Sequence, residues 1–410
     1  MTSQQVDFSM SRAEFVALIA MMFATIAFSI DAMLPALPQI GADLSPDAPY
    51  RTGLILTSFA LGLGIGTFFT GPLSDAYGRR SVVFGGSALY IVAAGVAWQS
   101  QSLEVMLAAR AVQGLGAAGP RVVALAITRD LFAGREMARI MSIAMMIFAL
   151  VPAIAPTLGA GIMAFGDWHG IFFAFMVFSL ITVVWMGLRL PETLPPAERR
   201  PLQPGLIWAA VREMASHSTV RMSIAVQTLA LGMLFVTLML VQPIYEEIFD
   251  RGASFPYWFG AVAIVAGSAS LLNALLVVRY GMRRLVTITL AVQIALSGGM
   301  LALGTGQWAD PYSFYAFVLW QTCLFFQAGL TLGNLTALAM EPMGHIAGTA
   351  ASVIGAVSTV GASLIASPVG VLFDGTITPL VGGVLAMAVL GFVLMLMMGR
   401  VERPEAAPAG

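Results

Sequence analysis

Long apolar segments separated by short polar ones run along the whole chain. A helix that crosses the hydrocarbon core of a bilayer needs about 20 apolar residues, and each of these segments reaches roughly that length. Gly and Pro inside the segments are compatible with membrane helices. The pattern predicts an all-α membrane protein with twelve transmembrane helices, spans 1 to 12, at 14–38, 51–73, 81–98, 103–128, 137–165, 169–189, 219–245, 256–278, 284–305, 312–340, 346–373 and 378–399.

Composition supports the same class. Hydrophobic residues make up 59% of the 410 residues and charged residues 10%, whereas soluble domains carry about 25% charged residues. An ordinary soluble enzyme and a disordered chain are therefore excluded. The single Cys323 permits no intramolecular disulfide, and no Cys/His metal cluster is visible. We expect no metal, no cofactor and no nucleic-acid partner.

The basic residues indicate the orientation. All twenty are Arg, and a cytoplasmic N-terminus places only Arg51 and Arg251 on the outer side. Arg110 and Arg121 fall inside span 4. The other sixteen lie at inner ends and loops: Arg12, Arg79, Arg80, Arg129, Arg135, Arg139, Arg189, Arg199, Arg200, Arg212, Arg221, Arg279, Arg283, Arg284, Arg400 and Arg403. This asymmetry follows the positive-inside rule and predicts that both termini are cytoplasmic.

The chain divides into two similar halves. Residues 190–218 are polar and proline-rich and predict a cytoplasmic linker, with a short surface helix near 206–214. Tyr77 to Arg80 follow the second span of the first half, and a similar run from Tyr280 to Arg284 follows the second span of the second half. We predict two pseudo-symmetric six-helix bundles, 1–189 and 219–410, joined by the linker. Such repeats around a midplane site are typical of transporters.

Three charged residues lie well inside spans, away from the span ends; charge is costly there and a function is the default hypothesis. Asp31 and Arg110 lie at similar depth, roughly 10–14 Å below the outer face, and could pair. Burial disfavours an ionised carboxylate and a nearby Arg favours it, so Asp31 could bind and release a proton. The sequence predicts that Asp31 and Arg110 couple transport to one proton. The alternative is a structural ion pair that holds spans 1 and 4 together.

Span 4 predicts a polar track. Arg110 and Arg121 are eleven residues apart, close to three turns, so they share a helix face. Small residues lie between them on this face and would leave the face open. The predicted substrate cavity contains Asp31, Arg110, Gln113, Gly114, Ala117 and Arg121. Alternatively, Arg121 could reach the inner headgroups or a loop carboxylate.

The loop after span 2 predicts a gate on the inner side. Asp130, at the end of span 4, could accept a hydrogen bond from Arg79, and such ion pairs would close one conformation and break in the other. Topology anchoring by positive charge is the alternative. The predicted gating residues are Gly71, Asp75, Gly78, Arg79, Arg80 and Asp130.

Span 5 is rich in proline and glycine. Prolines bend a helix and glycines let helices approach closely; ordinary small-residue packing is the alternative to a functional role. The residues concerned are Pro152, Pro156, Gly159 and Gly161.

Five motifs carry a resemblance that covers the whole chain. They are Gly71 to Arg80, Arg110 to Gly114, Pro152 to Gly159, Asp31 to Pro38, and Phe373 to Thr376. The chain resembles the major facilitator superfamily, and within it the drug:proton antiporters of the Bcr/CflA branch. It departs from their pattern in three places: Ala160 separates two glycines that are usually adjacent, Val278 aligns with Asp75, and Ala32 and Met33 replace an aromatic residue.

The resemblance implies the major facilitator fold and proton-coupled export of small amphipathic drugs by alternating access. The alternative is a dedicated proton-coupled transporter of one metabolite or amino acid. A membrane enzyme is disfavoured because no His/Asp/Ser cluster, metal spacing or phosphate loop is visible in the sequence. The expected partners are a small-molecule substrate, protons and the lipid bilayer. We expect a monomer in the bacterial inner membrane.

Overall fold

The computed structural model describes residues 10–304 and 312–401. The chain divides into two compact units, Met1–Gln203 and Pro204–Gly410. The division falls within the polar stretch 190–218. Arg403, one of the arginines assigned to the inner side, lies outside the described residues.

The first unit contains seven helices in its described part. Ser11 caps the first of them by accepting a hydrogen bond from the Glu14 amide, and Ser102 caps the fifth through the Val105 amide. The helices are α1 Arg12–Asp31, α2 Leu37–Leu44, α3 Leu54–Tyr77, α4 Arg79–Trp98, α5 Leu103–Leu131, α6 Gly134–Ala164 and α7 His169–Arg189. A segment without α-helix follows α7 to the end of the unit, with a 3-10 turn at Pro196–Glu198.

The second unit contains eight helices in its described part. A π-helical turn at Ile244–Ile248 extends the second of its helices. The helices are α8 Pro204–Ser216, α9 Ser218–Pro243, α10 Phe255–Gly267, α11 Ala269–Tyr280, α12 Met282–Leu303, α13 Tyr312–Met340, α14 Ala347–Val371 and α15 Thr378–Val401.

Eleven helical stretches of the described residues are long and apolar enough to cross a membrane. The longest, Tyr312–Val371, contains both α13 and α14, which a 3-10 segment at Glu341–Ile346 separates. Counting these two helices separately gives twelve. The predicted all-helical membrane fold is therefore confirmed. The helix α8 covers the predicted surface helix of the linker.

Two predicted spans are not continuous helices. Span 1 breaks after Asp31, where a 3-10 turn at Leu34–Ala36 leads into α2. Pro35 lies in this turn, and proline lacks the amide hydrogen that a continuing helix requires. Span 8 is divided into α10 and α11 at Ser268. The first break leaves Asp31 at a helix end.

Glycines hold α5 tightly against α3. A Cβ atom added at Gly114 would lie 1.9 Å from the carbonyl oxygen of Phe59, and one added at Gly62 would lie 1.8 Å from that of Ala111. Any side chain at either position would push the helices apart. Small residues let helix backbones approach in this way in membrane proteins. The two helices are consequently packed backbone to backbone beside Arg110.

The internal repeat has a structural counterpart. Gly78 ends α3 with φ at +96°, and Gly281 ends α11 with φ at +77°. Glycine adopts this left-handed region without the steric penalty that a Cβ atom imposes. In each unit, the next helix starts at the following residue. The two sequence motifs therefore specify the same sharp helix–helix connection.

Candidate functional site

Asp31 is the last residue of α1 and is 5% exposed. Among the described residues, no donor or cation lies within bonding distance of its carboxylate. Helix α6 covers the chain immediately after it, because a Cβ atom at Gly159 would lie 2.1 Å from the carbonyl oxygen of Ala32. Asp31 is thus a buried acid without a counter-charge.

Arg110 is fully buried on α5 and is held by neutral groups. Its Nη1 donates to Gln113 Oε1 at 2.6 Å and its Nη2 donates to the Ser29 carbonyl at 2.9 Å. The Phe59 ring centroid lies 4.3 Å from the guanidinium carbon, a cation–π distance. Within 10–304 and 312–401 no carboxylate lies within 4.0 Å of it.

The expected ion pair between Asp31 and Arg110 is therefore absent from this conformation. Arg110 does reach α1, but it binds the backbone of Ser29, two residues before Asp31. The position of each residue along its span predicted the same depth for both. Which side chains meet depends in addition on the rotation of each helix about its axis.

Two uncharged residues complete the site and were missed in the sequence. The Ser29 hydroxyl lies 2.5 Å from the Tyr90 hydroxyl on α4, and both side chains are buried. Ser29 Oγ also donates to the Thr25 carbonyl. Gln113, which accepts from Arg110, also lies beside the Tyr90 hydroxyl. Uncharged groups give no signal in a search for intramembrane charge, so only the tertiary packing reveals this network.

The open track predicted along span 4 is not present. Gly114 is packed against the Phe59 backbone and Ala117 is fully buried, so both belong to helix interfaces in this conformation. Arg121 is exposed and makes no ion pair among the described residues. The physical reason is the tight α3–α5 packing, which fills the space that small residues leave.

The loop between α3 and α4 holds a buried ionic cluster around Arg79, which is 3% exposed. Its Nε donates to Asp130 Oδ2 at 2.9 Å, as the sequence predicted, and its Nη1 donates to Asp75 Oδ1 and to Ser74 Oγ. The Ser74 hydroxyl in turn donates to the Gly71 carbonyl at 3.0 Å. This cluster joins the end of α3, the start of α4 and the end of α5.

Glu192 is a third carboxylate of this cluster. It accepts from the Arg79 amide at 2.9 Å and from the Arg80 amide at 3.1 Å. These amides are free because they begin α4, and a negative charge at a helix N-terminus is favourable. A Cβ atom at Gly78 would lie 2.7 Å from Glu192 Oε2. Reading 190–218 as a simple linker missed this contact, which spans more than a hundred residues.

Neighbouring contacts fix the same segment. Arg80 Nη2 donates to the Gly187 carbonyl at 2.8 Å, and the Arg200 amide donates to the Asp75 carbonyl at 3.0 Å. The stretch 191–200 therefore lies across the loop and is part of the cluster.

The proline and glycine residues of span 5 have different positions. Pro152 and Pro156 lie inside α6. Gly159 makes the close approach to Ala32 described above, whereas a Cβ atom at Gly161 would meet nothing within 4 Å. Only the first of the two glycines is needed for helix contact.

Buried amides of the second unit bond neighbouring helices. Asn334 donates to Asn273 Oδ1 at 2.7 Å, and the Tyr245 hydroxyl donates to Gln321 Oε1 at 2.9 Å. Such hydrogen bonds stabilise helix association in membranes. These groups have a structural role in this conformation.

Comparison with known proteins identifies the family. Residues 17–366 match the model of the Major Facilitator Superfamily, and the chain belongs to this superfamily of membrane transporters. It is 30% identical over 376 residues to the uncharacterized MFS-type transporter YdgK of Bacillus subtilis. The alignment covers 88% of this chain and 90% of the relative.

Two further relatives carry resistance names. A bicyclomycin resistance protein homolog of Haemophilus influenzae is 28% identical over 90% of this chain and 92% of its own length. The multidrug resistance protein MdtL of Escherichia coli K12 is 26% identical over 92% of this chain and 93% of its own length. The chain is a transporter rather than an enzyme, and these relatives are consistent with the Bcr/CflA-like drug-efflux branch.

Solved structures agree on the fold. A D-xylose–proton symporter superposes with a TM-score of 0.71 at 15% identity, covering 93% of this chain and 97% of its own. The human organic anion transporter MFSD10 superposes with a TM-score of 0.65 at 18% identity, covering 96% of this chain and all of its own.

Proposed function

We propose that the chain is a proton-coupled exporter of small amphipathic drugs or related compounds, which works by alternating access. The resistance names of its relatives favour export, and the family carries small molecules. We place the coupling proton on Asp31 and assign Arg110, with Gln113, to the control of that proton. We further propose that the protein works as a monomer in the bacterial inner membrane, with both termini cytoplasmic and no cofactor beyond the proton gradient.

The observation that carries the proposal is a buried acid without a partner beside a buried base with neutral partners. An unpaired ionised carboxylate is costly away from water, so the neutral acid of Asp31 suits this conformation. After the proton leaves, the carboxylate requires a cation or water. Arg110 already binds Ser29 two residues earlier on α1, so exchanging that carbonyl for the Asp31 carboxylate needs a local rearrangement only.

Such an exchange offers two discrete arrangements, which is what a coupled transporter needs. In one, Asp31 is protonated and Arg110 binds backbone; in the other, Asp31 is ionised and paired. Arg121, Gly114 and Ala117 then become candidates for cavity residues of the second arrangement, in which the α3–α5 packing would have to change.

We assign the cluster around Arg79 to the gate on the cytoplasmic side. The Arg79 side chain is buried, so its ion pairs hold one arrangement of the loop firmly, and a state with the loop released would require that all of them break together. A cooperative cluster of this kind favours two states over a continuum.

The test is Asp31→Asn in proteoliposomes with an imposed pH gradient. Asparagine keeps the shape of the side chain but cannot exchange a proton, so we expect gradient-driven efflux to be lost while ligand binding is retained. Asp47→Asn, at an exposed acid outside the helices, is the matched control. Pumping by the Asp31 variant at the normal rate would show that another group couples transport to protons.

The substrate class is tested separately by a thermal-shift screen of the purified protein. Ligands that bind only the folded state raise its apparent stability. We expect shifts with several chemically unrelated amphipathic drugs. A shift with one metabolite alone would indicate a dedicated transporter instead.

A further inference from the structure

A groove of about 470 Å³ lies in the second unit between α8, α9 and α14. Its walls include Met214 of α8, Ile224 and Leu229 of α9, and Val357 and Ile365 of α14. Its volume is in the range of small-molecule sites, about 300–1,000 Å³. We propose that this groove binds the acyl chain of an anionic phospholipid from the surrounding bilayer, with the lipid headgroup on Arg221.

The length of the groove fits one leaflet. Along α9 the lining runs from Arg221 to Leu229, which at 1.5 Å per residue is about 12 Å. Along α14 it runs from Val353 to Ile365, about 18 Å. Half of a hydrocarbon core of about 30 Å is about 15 Å. The groove begins near the first turns of α9 and α14, so it runs from the membrane surface inward.

The wall chemistry fits hydrocarbon. Among the described lining residues, Arg221 and Thr228 are the polar ones, and Thr228 Oγ1 already donates to the Ile224 carbonyl at 2.8 Å. A ligand with several polar groups would leave them unpaired there, which is costly. Water needs two to four polar partners to occupy a site. An acyl chain has no such requirement.

Arg221 supplies the charge at the surface end. Its Nη1 donates to the carbonyls of Ala215 and Ser216 at the end of α8, at 2.7 and 3.4 Å. In the described part of the chain no carboxylate lies within 4.0 Å of it. The Glu213 carboxylate of α8 contacts His345 Nε2 at 2.8 Å instead. A guanidinium has five donors, so most remain available, and phosphate is a preferred acceptor for them.

Helix α8 points to the bilayer as the source of the ligand. Leu206 and Trp208 are 67% and 70% exposed on it. An amphipathic helix with exposed Leu and Trp lies in the membrane interface, where lipid headgroups are at hand. A lipid beneath α8 would join the helix to α9 and α14 in the second unit.

The test is native mass spectrometry of the purified full chain, titrated with phosphatidylglycerol and with phosphatidylcholine of identical acyl chains. We expect phosphatidylglycerol to bind about tenfold more tightly, the effect of one charge-assisted contact. Arg221→Gln should abolish the preference and Arg221→Lys should retain part of it. Arg212→Gln removes an exposed arginine of α8 that does not line the groove and should change nothing.

A second variant tests the binding of the acyl chain rather than of the headgroup. Val357 is 47% exposed, so Val357→Trp can fill the groove without disturbing the interior, and it should weaken both lipids. Equal binding of the two lipids by the unaltered protein would overturn the proposal, as would full binding by the Trp variant or an unchanged preference in Arg221→Gln. Oleate that binds as tightly as phosphatidylglycerol would show that free fatty acid is the ligand.

Discussion

The two loops that follow Gly78 and Gly281 share a backbone but differ in charge. Both glycines have positive φ and both end one helix directly before the next. After Gly78, Arg79 is buried among Asp75, Asp130 and the linker acid Glu192. After Gly281, Met282 aligns with Arg79, and Val278, which aligns with Asp75, is 88% exposed. Arg284, two residues further on, is exposed and lies 6.0 Å from the Tyr280 ring.

The difference separates what the backbone motif does from what the charges do. In the second loop Val278 stands where the first has Asp75, so the glycine turn makes the helix connection there without that acid. The ion pairs of Arg79 in the first loop are an addition to this turn, and the proposed function assigns the gate to them. The predictions below therefore pair each change in the first loop with a matched change elsewhere.

The largest effect is expected from Arg79→Ala. Removing one partner of a buried ionic cluster leaves the others without compensation, and the free energy of unfolding should fall by about 3 kcal/mol. Arg284→Ala, at an exposed arginine of the second loop, should change it by no more than about 0.5 kcal/mol. Thermal unfolding of both variants in the same detergent measures the contrast. Equal shifts would mean that the first cluster has no special role in stability.

The next largest difference is expected between Gly78→Ala and Gly281→Ala. An alanine at either position must adopt a positive φ, which costs about 1–2 kcal/mol. At Gly78 it would also lie 2.7 Å from Glu192 Oε2 and 2.8 Å from Arg199 Nη2, whereas at Gly281 it meets nothing within 4 Å. Gly78→Ala should therefore lower the melting temperature further. If the two variants melt together, the segment 191–200 does not lie across the loop.

A smaller effect is expected from Glu192→Gln. The amide keeps one acceptor but loses the charge at the start of α4, so the free energy of unfolding should fall by about 1 kcal/mol. Glu198→Gln is the control, since Glu198 is an exposed acid of the same segment. High salt should reduce this loss in the free energy of unfolding only slightly, because partly buried charges are screened less than exposed ones. Identical melting temperatures of both variants would contradict the role of Glu192 at the N-terminus of α4.

The smallest effect is expected from Val278→Asp, which restores the aligned acid in the second loop. Because the position is exposed and faces no buried arginine, stability should change by about 0.5 kcal/mol at most. The comparison is Asp75→Asn, which weakens a charge-assisted hydrogen bond and should cost about 1 kcal/mol. A clear gain of stability in Val278→Asp would show that one acid is enough to build the cluster.

Hydropathy predicted the membrane class and the helices well, because a run of about 20 apolar residues forms a helix that spans the bilayer. It missed the break after Asp31, because the apolar pattern continues through Pro35 into α2. The signal for this helix end is the proline itself, and a measure of hydropathy does not record it.

Charge marked part of the candidate site in the sequence. Asp31 and Arg110 stand out because charged residues are rare inside spans, and the Arg79–Asp130 pair because the loop after span 2 and the end of span 4 carry opposite charges. Ser29, Tyr90 and Glu192 were not found: the first two are uncharged, and the third contacts α4 from far along the chain. The expected Asp31–Arg110 pair was wrong for this conformation, because depth along a helix can be read from a sequence but helix rotation cannot.

Phe59 contributes its ring to Arg110 and its carbonyl to the contact with Gly114. The two helices clamped at this residue continue to the Arg79 cluster, with Asp75 on α3 and Asp130 on α5. From Arg110 to Asp130 is about 30 Å along α5. Pro72 of α3 and Pro120 of α5 lie between the two charge centres and allow each helix to bend. A change of hydrogen-bond partner at Arg110 can therefore reach the Arg79 cluster as a bend of the packed α3–α5 pair.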